Sequence, residues 1–253
     1  MSIFVDKSTR VIVQGITGKE GSFWTSHMLD MGASVVAGVT PGKEGERVRD
    51  VPVYHSVRRA HDAHEADAAM LFVPPRFTKD AVFEALDAGL QKLGIFPYWI
   101  QRVYKPGTIG VMTRSGSLTN EVTAMIVREG FGVSTLIGVG GDPVPGTRFA
   151  EFLPAYQDDR ETEGVVIVGE LGGTMEEEIA EAIASGVFTK PLVAFIGGRT
   201  APKGKRMGHA GAIVTGTAGT VVAKSEALTR AGALVASRPS QVGGMLRSLI
   251  PAA

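Results

Sequence analysis

The chain has no cysteine. Disulfides, thiolate nucleophiles and cysteine-ligated zinc are therefore excluded. It has no excess of charge either, with 26 basic against 26 acidic residues. That removes the electrostatic footprint of a dedicated nucleic-acid binder. No apolar run approaches the roughly 20 residues of a membrane span. The first residues, Met1-Ser2-Ile3-Phe4-Val5-Asp6-Lys7, lack the basic-then-apolar layout of a secretory signal. The expectation is a cytoplasmic protein with no nucleic-acid or membrane partner. What the chain does have is length and glycine. Its 253 residues suffice for one large domain or two ordinary ones. Its 33 glycines are spread along the chain, as tight turns at strand ends would require.

Short β-branched runs alternate with helical patterns. Strands are predicted at 10–14, 34–39 and 68–73, with a short extended piece at 51–54. Helices are predicted from Phe23 to Met31, from Ser56 as a cap through Ala60, and from Thr78 as a cap through Ala88. This β-α-β-α order with short connections is the signature of a parallel sheet covered on both faces. From Gln91 to Gly107 the rhythm breaks, with Pro97, Tyr98, Trp99 and Pro106-Gly107. The domain boundary is placed there. The pattern then restarts with strands at 108–113, 134–139, 164–168 and 191–196. Helices are predicted from Leu118 to Gly130 and from Glu176 to Ser185, and a last α/β unit runs from Ala223 to Ala236. The predicted organisation is a first domain over 1–91, a connecting segment over 92–107 and a second parallel-sheet domain over 108–253.

Three constellations carry chemistry. Gly15-Ile16-Thr17-Gly18-Lys19-Glu20-Gly21 follows the first strand and opens a helix. Glycines let a backbone approach an anion, and a helix start presents free N–H groups to it. The spacing is G-x-x-G-x-x-G. Strand two ends in Thr40-Pro41-Gly42-Lys43, with a lysine where an NAD site would want an acid. The residues suit a nucleotide-like ligand with an extra phosphate, coenzyme A or NADP. Arg114-Ser115-Gly116-Ser117-Leu118-Thr119 repeats the strand, glycine turn and helix. It reads equally as an anion site or as an ordinary serine N-cap. The third segment, 197–212, packs Arg199, Lys203, Lys205, Arg206 and His209 among glycines. Basic side chains gather phosphate oxygens, and a neutral imidazole is a nucleophile as well as a base. Glu170, after a buried strand, is a carboxylate that can fix the imidazole tautomer. His61 and His64 lie with Asp62 and Glu65 on a charged helix, which reads as a solvated face. No metal site is expected.

These segments match a known pattern in order across almost the whole chain. They are Val13-Gln14-Gly15-Ile16-Thr17-Gly18, Gly38-Val39-Thr40-Pro41-Gly42-Lys43, Ser115-Gly116-Ser117-Leu118-Thr119, Gly140-Gly141-Asp142-Pro143 and Gly169-Glu170-Leu171-Gly172-Gly173. The longest is the run from Ala201 to Ala212 around His209. The chain resembles the α subunit of succinyl-CoA synthetase, the ADP- or GDP-forming succinate–CoA ligase of the tricarboxylic acid cycle. The resemblance implies a Rossmann-like CoA-binding domain followed by a flavodoxin-like ligase domain. It implies that His209 is transiently phosphorylated and that Glu170 orients it. Ser115, Gly116 and Ser117 would hold the phosphate. Thr17, Gly18, Lys19, Glu20 and Lys43 would bind coenzyme A. The implied partner is an ATP-grasp β subunit, in an αβ or α2β2 assembly, that brings ATP or GTP with Mg²⁺.

The chain departs from the family in two places. After Asp87-Ala88-Gly89 the family continues with another strand, a helix and a further strand. Here Leu90-Gln91 runs at once into Lys92-Leu93-Gly94-Ile95, which resembles the start of the second domain. The first domain is therefore expected to miss part of its sheet and of its coenzyme A site. Asn120 stands where the family usually has a tyrosine near the organic acid, so a larger or more polar acid such as malate or citrate fits. The expected function is an acid–CoA ligase acting on a di- or tricarboxylic acid through a phosphohistidine. One alternative is a phosphohistidine ligase serving a nucleophile other than coenzyme A. The other is a non-catalytic binding module.

Overall fold

The computed structural model describes residues 3–90, 92–94, 104–202, 207–214 and 219–251. The chain divides into two compact units, Phe4–Tyr98 and Trp99–Ala253, the latter joined by Met1–Ile3.

The first unit runs β1 (Arg10–Gln14), α1 (Lys19–Asp30), β2 (Ser34–Val39), β3 (Arg47–Val48), β4 (Val51–Tyr54), α2 (Val57–His64), β5 (Ala68–Leu71), α3 (Thr78–Asp87) and β6 (Lys92–Gly94). The sheet order is β3-β4-β2-β1-β5-β6. All neighbours are parallel except the two-residue β3, which is antiparallel to β4. Without β3 this is the Rossmann order 3-2-1-4-5. Alternate residues of β1 feed opposite cores, as the pleat requires. Ile12 packs with Ala60, Ala81 and Ala85 on the α2 and α3 side. Val11 and Val13 pack with Ile16 and Met28 on the α1 side.

The second unit runs β7 (Pro106–Thr113), α4 (Gly116–Arg128), β8 (Val133–Gly138), α5 (Phe149–Asp158), β9 (Gly164–Glu170), α6 (Met175–Ala184), β10 (Leu192–Gly197), α7 (Val221–Arg230), β11 (Leu234–Ala236) and α8 (Val242–Leu249). Its sheet is parallel throughout, in the order β11-β10-β9-β7-β8. That is the flavodoxin-like 2-1-3-4-5 order read from the other edge. Every residue of β9 is buried. Ile167 faces Leu153, Tyr156 and Ile179, whereas Val166 and Val168 face Val122, Ile126 and Leu246. A strand covered on both faces reads as the continuous apolar run seen in its sequence.

The structure differs from the sequence expectation at several elements. Lys92–Gly94 was expected to open the second domain but pairs with β5 in the first sheet. Pro106 and Gly107, expected in the connecting segment, begin β7. Pro97, Tyr98 and Trp99 lie outside the described residues. Helix α1 starts at Lys19, four residues before the expected Phe23, because the glycine turn passes directly into the helix. Thr78 is the first residue of α3 and makes no side-chain cap; a short 3-10 turn at Pro75–Phe77 leads in instead. Helices α5 and α8 carried no sequence signal. Pro154 sits inside α5, and α8 begins Val-Gly-Gly, both poor helix formers. Tertiary contact offsets this in α8, where a Cβ on Gly243 would fall 2.5 Å from the Met125 carbonyl oxygen. The glycine lets α8 lie close on α4. None of the helices among the described residues is long and apolar enough to cross a membrane.

Candidate active site

In an open parallel sheet the strand order reverses at one point, and ligands gather there beyond the carboxyl ends of the strands. In the first sheet that point lies between β1 and β5. The turn after β1 holds Thr17, and Gly18 is the N-cap of α1 without a side-chain cap. Gly18, Lys19 and Glu20 are exposed; the Gly18 N–H donates to the Gly15 carbonyl at 3.0 Å, and the N–H groups of Lys19 and Glu20 have no partner inside the helix. The turn depends on glycine. Gly15 has φ +76° and a Cβ there would lie 2.4 Å from the Phe72 carbonyl oxygen. A Cβ on Gly21 would fall 2.1 Å from the Gly15 carbonyl oxygen. The first and third glycines thus do the work of a dinucleotide-type loop, a tight turn and close helix packing. Thr17 Oγ1 is 3.1 Å from Thr40 Oγ1, which ties this turn to the end of β2. Lys43 lies beyond in the same rim, exposed and paired with Glu46 at 2.8 Å. An exposed pair of this kind holds weakly, so the lysine is free to exchange Glu46 for a phosphate.

In the second sheet the order reverses between β7 and β9. Glu170 is the last residue of β9, and its Oε2 lies 2.7 Å from His209 Nδ1. The carboxylate is 10 % exposed and the imidazole 39 %. One ring edge is thus bound inside while the other reaches solvent. A glycine makes room for the ring: a Cβ on Gly141 would lie 2.2 Å from His209 Nδ1. The backbone closes the loop, with Gly211 N–H donating to the Gly141 carbonyl at 2.8 Å. Arg114, the cation of the segment that could read as an anion site, is instead 3 % exposed and turned inwards. Its Nη2 is 3.1 Å from Glu170 Oε1, and its Nη1 donates to the Gly172 carbonyl at 2.9 Å. Among the described residues Glu170 Oε1 meets no well-aligned hydrogen-bond donor, so the Arg114 contact is an ion pair of skewed geometry.

Beside this pair stands the start of α4. Arg114 N–H donates to the Val168 carbonyl at 2.9 Å, which sets the residues after β7 against the end of β9. Ser115 is the N-cap and its hydroxyl accepts from Leu118 N–H. Gly116 and Ser117 are exposed and occupy the turn whose N–H groups have no partner inside a helix. Asn120, one turn on, accepts a hydrogen bond from the Tyr104 hydroxyl at 3.1 Å. Burial pushes the Tyr104 phenol up to about 12, so that hydroxyl keeps its proton. A tyrosine hydroxyl is thus present here, supplied by position 104. Lys203, Lys205 and Arg206 lie outside the described residues; Arg199 is exposed.

The bland reading of His61 and His64 also changes. His64 Nε2 is 2.7 Å from the Tyr54 hydroxyl, and His61 Nδ1 accepts from Ala66 N–H at 3.0 Å. Both are half-buried structural partners within the first unit. Sequence reasoning missed Glu176 and Lys224, which complete a buried ionic chain behind Glu170. Glu176 stood in the sequence only as the start of a predicted helix. Lys224 carried no motif, and only a lysine within an otherwise apolar helix face hinted at it.

A Rossmann-like domain with an open glycine turn at its switch point, followed by a flavodoxin-like domain with a carboxylate-held histidine, fits the class of CoA ligases. Comparison with known proteins agrees. Residues 6–97 match the CoA binding domain and residues 112–234 match the CoA-ligase domain. The ADP-forming sulfoacetate–CoA ligase subunit SauD of Bilophila wadsworthia is 61% identical, over 99% of this chain and 100% of the relative. The corresponding subunit SqwL of Acholeplasma sp is 60% identical, over 98% of each. The succinate–CoA ligase [ADP-forming] subunit alpha 1 of Archaeoglobus fulgidus is 44% identical, over 93% of this chain and 94% of the relative. Among solved structures, the ATP citrate lyase of Methanosaeta concilii in complex with (3S)-citryl-CoA superposes with a TM-score of 0.83 at 25% identity. That match covers 98% of this chain and 51% of the longer one.

The chain belongs to the succinyl-CoA synthetase α-subunit family. It is a CoA-binding ligase subunit whose reaction forms a carbon–sulfur bond. This sets aside both the non-catalytic reading and the reading with a nucleophile other than coenzyme A. The match to SauD runs over 292 positions, whereas this chain has 253 residues. The relative therefore carries positions that have no residue here. The first sheet accords with this: among the described residues it stops at the fifth Rossmann position, β6, with three residues.

Proposed function

We propose that this chain is the α-type subunit of an ADP-forming ligase that joins coenzyme A to sulfoacetate through a phosphohistidine at His209. The observation that carries the phosphohistidine is the 2.7 Å contact between His209 Nδ1 and Glu170 Oε2. The Glu170 carboxylate beside Arg114 accepts a hydrogen bond from Nδ1–H, which fixes that tautomer and leaves the lone pair on Nε2. His209 then takes the γ-phosphoryl group of ATP on Nε2 and ADP leaves. As the ring gains positive charge, Glu170 stabilises it. The start of α4, at Ser115, Gly116 and Ser117, supports the phosphoryl oxygens with backbone N–H groups and hydroxyls. His209 next passes the phosphoryl group to the acid's carboxylate, which gives an acyl phosphate and restores the imidazole. The coenzyme A sulfur attacks that carbonyl, and inorganic phosphate departs as the thioester forms.

The open turn at Thr17, Gly18, Lys19 and Glu20, with Lys43, suits the phosphates of coenzyme A. The nucleotide, with Mg²⁺, belongs in this reading to an ATP-grasp partner subunit in an αβ or α2β2 complex. The acid departs from the expected di- or tricarboxylic acid, and with it goes the tricarboxylic acid cycle. Two relatives at 61% and 60% identity are named for sulfoacetate. Sulfoacetate is a two-carbon acid whose sulfonate is compact and always ionised. The short amide of Asn120, polarised by the Tyr104 hydroxyl, is compatible with a sulfonate because its N–H₂ group donates.

The reading is tested with γ-labelled ATP and the nucleotide-binding partner. Acid-labile label on the wild-type chain that is lost in His209→Ala is the expected result. Label that persists in His209→Ala rejects the phosphohistidine. A coupled ADP assay should favour sulfoacetate over succinate, malate and citrate. A preference for any of those three rejects the proposed acid.

A further inference from the structure

Behind Glu170 lies a row of alternating charges that the reaction as written does not use. Arg114 Nη1 reaches Glu176 Oε1 at 3.3 Å. Glu176 Oε2 accepts from Lys224 Nζ at 2.6 Å, and Lys224 also reaches Glu177 Oε2 at 2.6 Å and the Gly173 carbonyl at 2.9 Å. Glu176 and Lys224 are both fully buried. Such groups are costly to desolvate, and well-packed apolar residues of similar size stabilise a fold as well or better. Stability alone is therefore a weak reason for their presence. Their positions point to the site. Glu176 Oε1 also accepts the backbone N–H of Glu170 at 3.1 Å, so it holds both the backbone of Glu170 and the arginine that faces its carboxylate. A glycine lets it come so close, since a Cβ on Gly169 would lie 2.5 Å from Glu176 Oε1.

We propose that Glu176 and Lys224 are positioning residues, which through Arg114 and the Glu170 backbone hold the Glu170 carboxylate aimed at His209 Nδ1. The row contains three carboxylates, Glu170, Glu176 and Glu177, and two cations, Arg114 and Lys224. It carries one net negative charge, and Glu170 presents that charge to the ring. When the neutral imidazole attacks phosphorus through Nε2, the ring becomes cationic and the row is balanced. Without Glu176, Arg114 loses its second carboxylate and closes on Glu170, which draws Oε2 from the ring. The proposal rests on the phosphohistidine reading for its kinetic consequence but not for its effect on the histidine tautomer.

The test uses the full chain with its nucleotide-binding partner, and two variants. Glu176→Gln removes the key carboxylate. Glu176→Gln combined with Lys224→Met removes one anion and one cation, so the net charge is kept and no lysine is left buried without its acid. Two measurements are made. Rapid-quench labelling with γ-labelled ATP gives the rate of label uptake per labelled site. ¹⁵N NMR of the His209 ring gives its tautomer. We expect the rate to fall about 10- to 100-fold, the size of loss seen when hydrogen-bond partners that orient metal-ligating histidines are removed. The nucleotide KM and coenzyme A affinity should stay unchanged, and the Nδ1–H form should cease to dominate. A merely structural role would lower the fraction of sites labelled, not the rate at each. A wild-type rate with a wild-type tautomer in the double variant overturns the proposal, even if the single variant fails to fold. A wild-type chain that takes no label rejects the phosphohistidine, and a tautomer shift in the variants would still support the positioning role.

Discussion

At the scale of single residues, His209 is defined less by its own chemistry than by the two residues that leave it room and direction. Gly141 is one. A methyl group there would meet the imidazole at 2.2 Å, well inside van der Waals contact. Gly141→Ala should therefore displace the ring from Glu170. The expected outcome is a loss of roughly 10- to 100-fold in kcat, with coenzyme A affinity unchanged by calorimetry. Activity at the wild-type level would show that the ring position is not critical. Glu170 is the other, and the sequence marked it because a carboxylate at the end of a buried strand in a parallel sheet stands at a site. The histidine and its carboxylate were both legible. Their pairing was expected too, but they lie 39 positions apart in the chain, and the packing of the 207–214 loop is what brings them to 2.7 Å. Arg114 shows the limit more sharply. A basic residue in a glycine turn reads as a phosphate ligand, yet its guanidinium is turned into the core towards two carboxylates.

At the scale of elements, alternation of apolar runs with glycine turns was enough to place most strands to within a residue or two. Helices α5 and α8 escaped because their intrinsic propensity is poor and their burial supplies the stability. The pairing between α5 and α6 carries an acid-sensitive contact. The Arg148 guanidinium hydrogen-bonds Glu178, with Nε 2.8 Å from Oε2, and holds that carboxyl below the usual carboxylate range. A carboxyl lowered in the folded state contributes stability above its unfolded value, and that stability is lost as pH falls through the folded value. Thermal melts should show Glu178→Gln losing stability at neutral pH and converging with the wild type in acid. Parallel curves at every pH would remove Glu178 as the source. Both side chains are partly exposed, so the effect should be small and weakened by salt. The three-residue β6 belongs to this scale too. Its sequence suggested the start of a second domain, and only its pairing with β5 assigns it to the first sheet.

At the scale of the whole molecule, each of the two units carries its own cores and its own sheet, with its candidate site at the point where the strand order reverses. A ligand that binds one unit should stabilise that unit. Coenzyme A at a hundred times its Kd should add about 2.7 kcal/mol to the stability of residues 4–98. Calorimetry would show this as an upward shift of one transition, and hydrogen exchange as protection confined to the turn after β1 and the rim at Lys43. Protection confined to residues 104–251 would mean that the shortened unit does not hold the coenzyme. The sequence by itself determined the class of fold, two glycine-led helix starts after strands and the histidine with its carboxylate. These rest on local signals: strand periodicity, glycine where a turn needs positive φ, a carboxylate at a strand end and a histidine among glycines and cations. Only the tertiary structure decided which residues stand behind the site. The row from Arg114 through Glu176 to Lys224 draws on three separate helix starts and strand ends. Which charges meet depends on how α4, α6 and α7 pack around β9, and no local pattern encodes that.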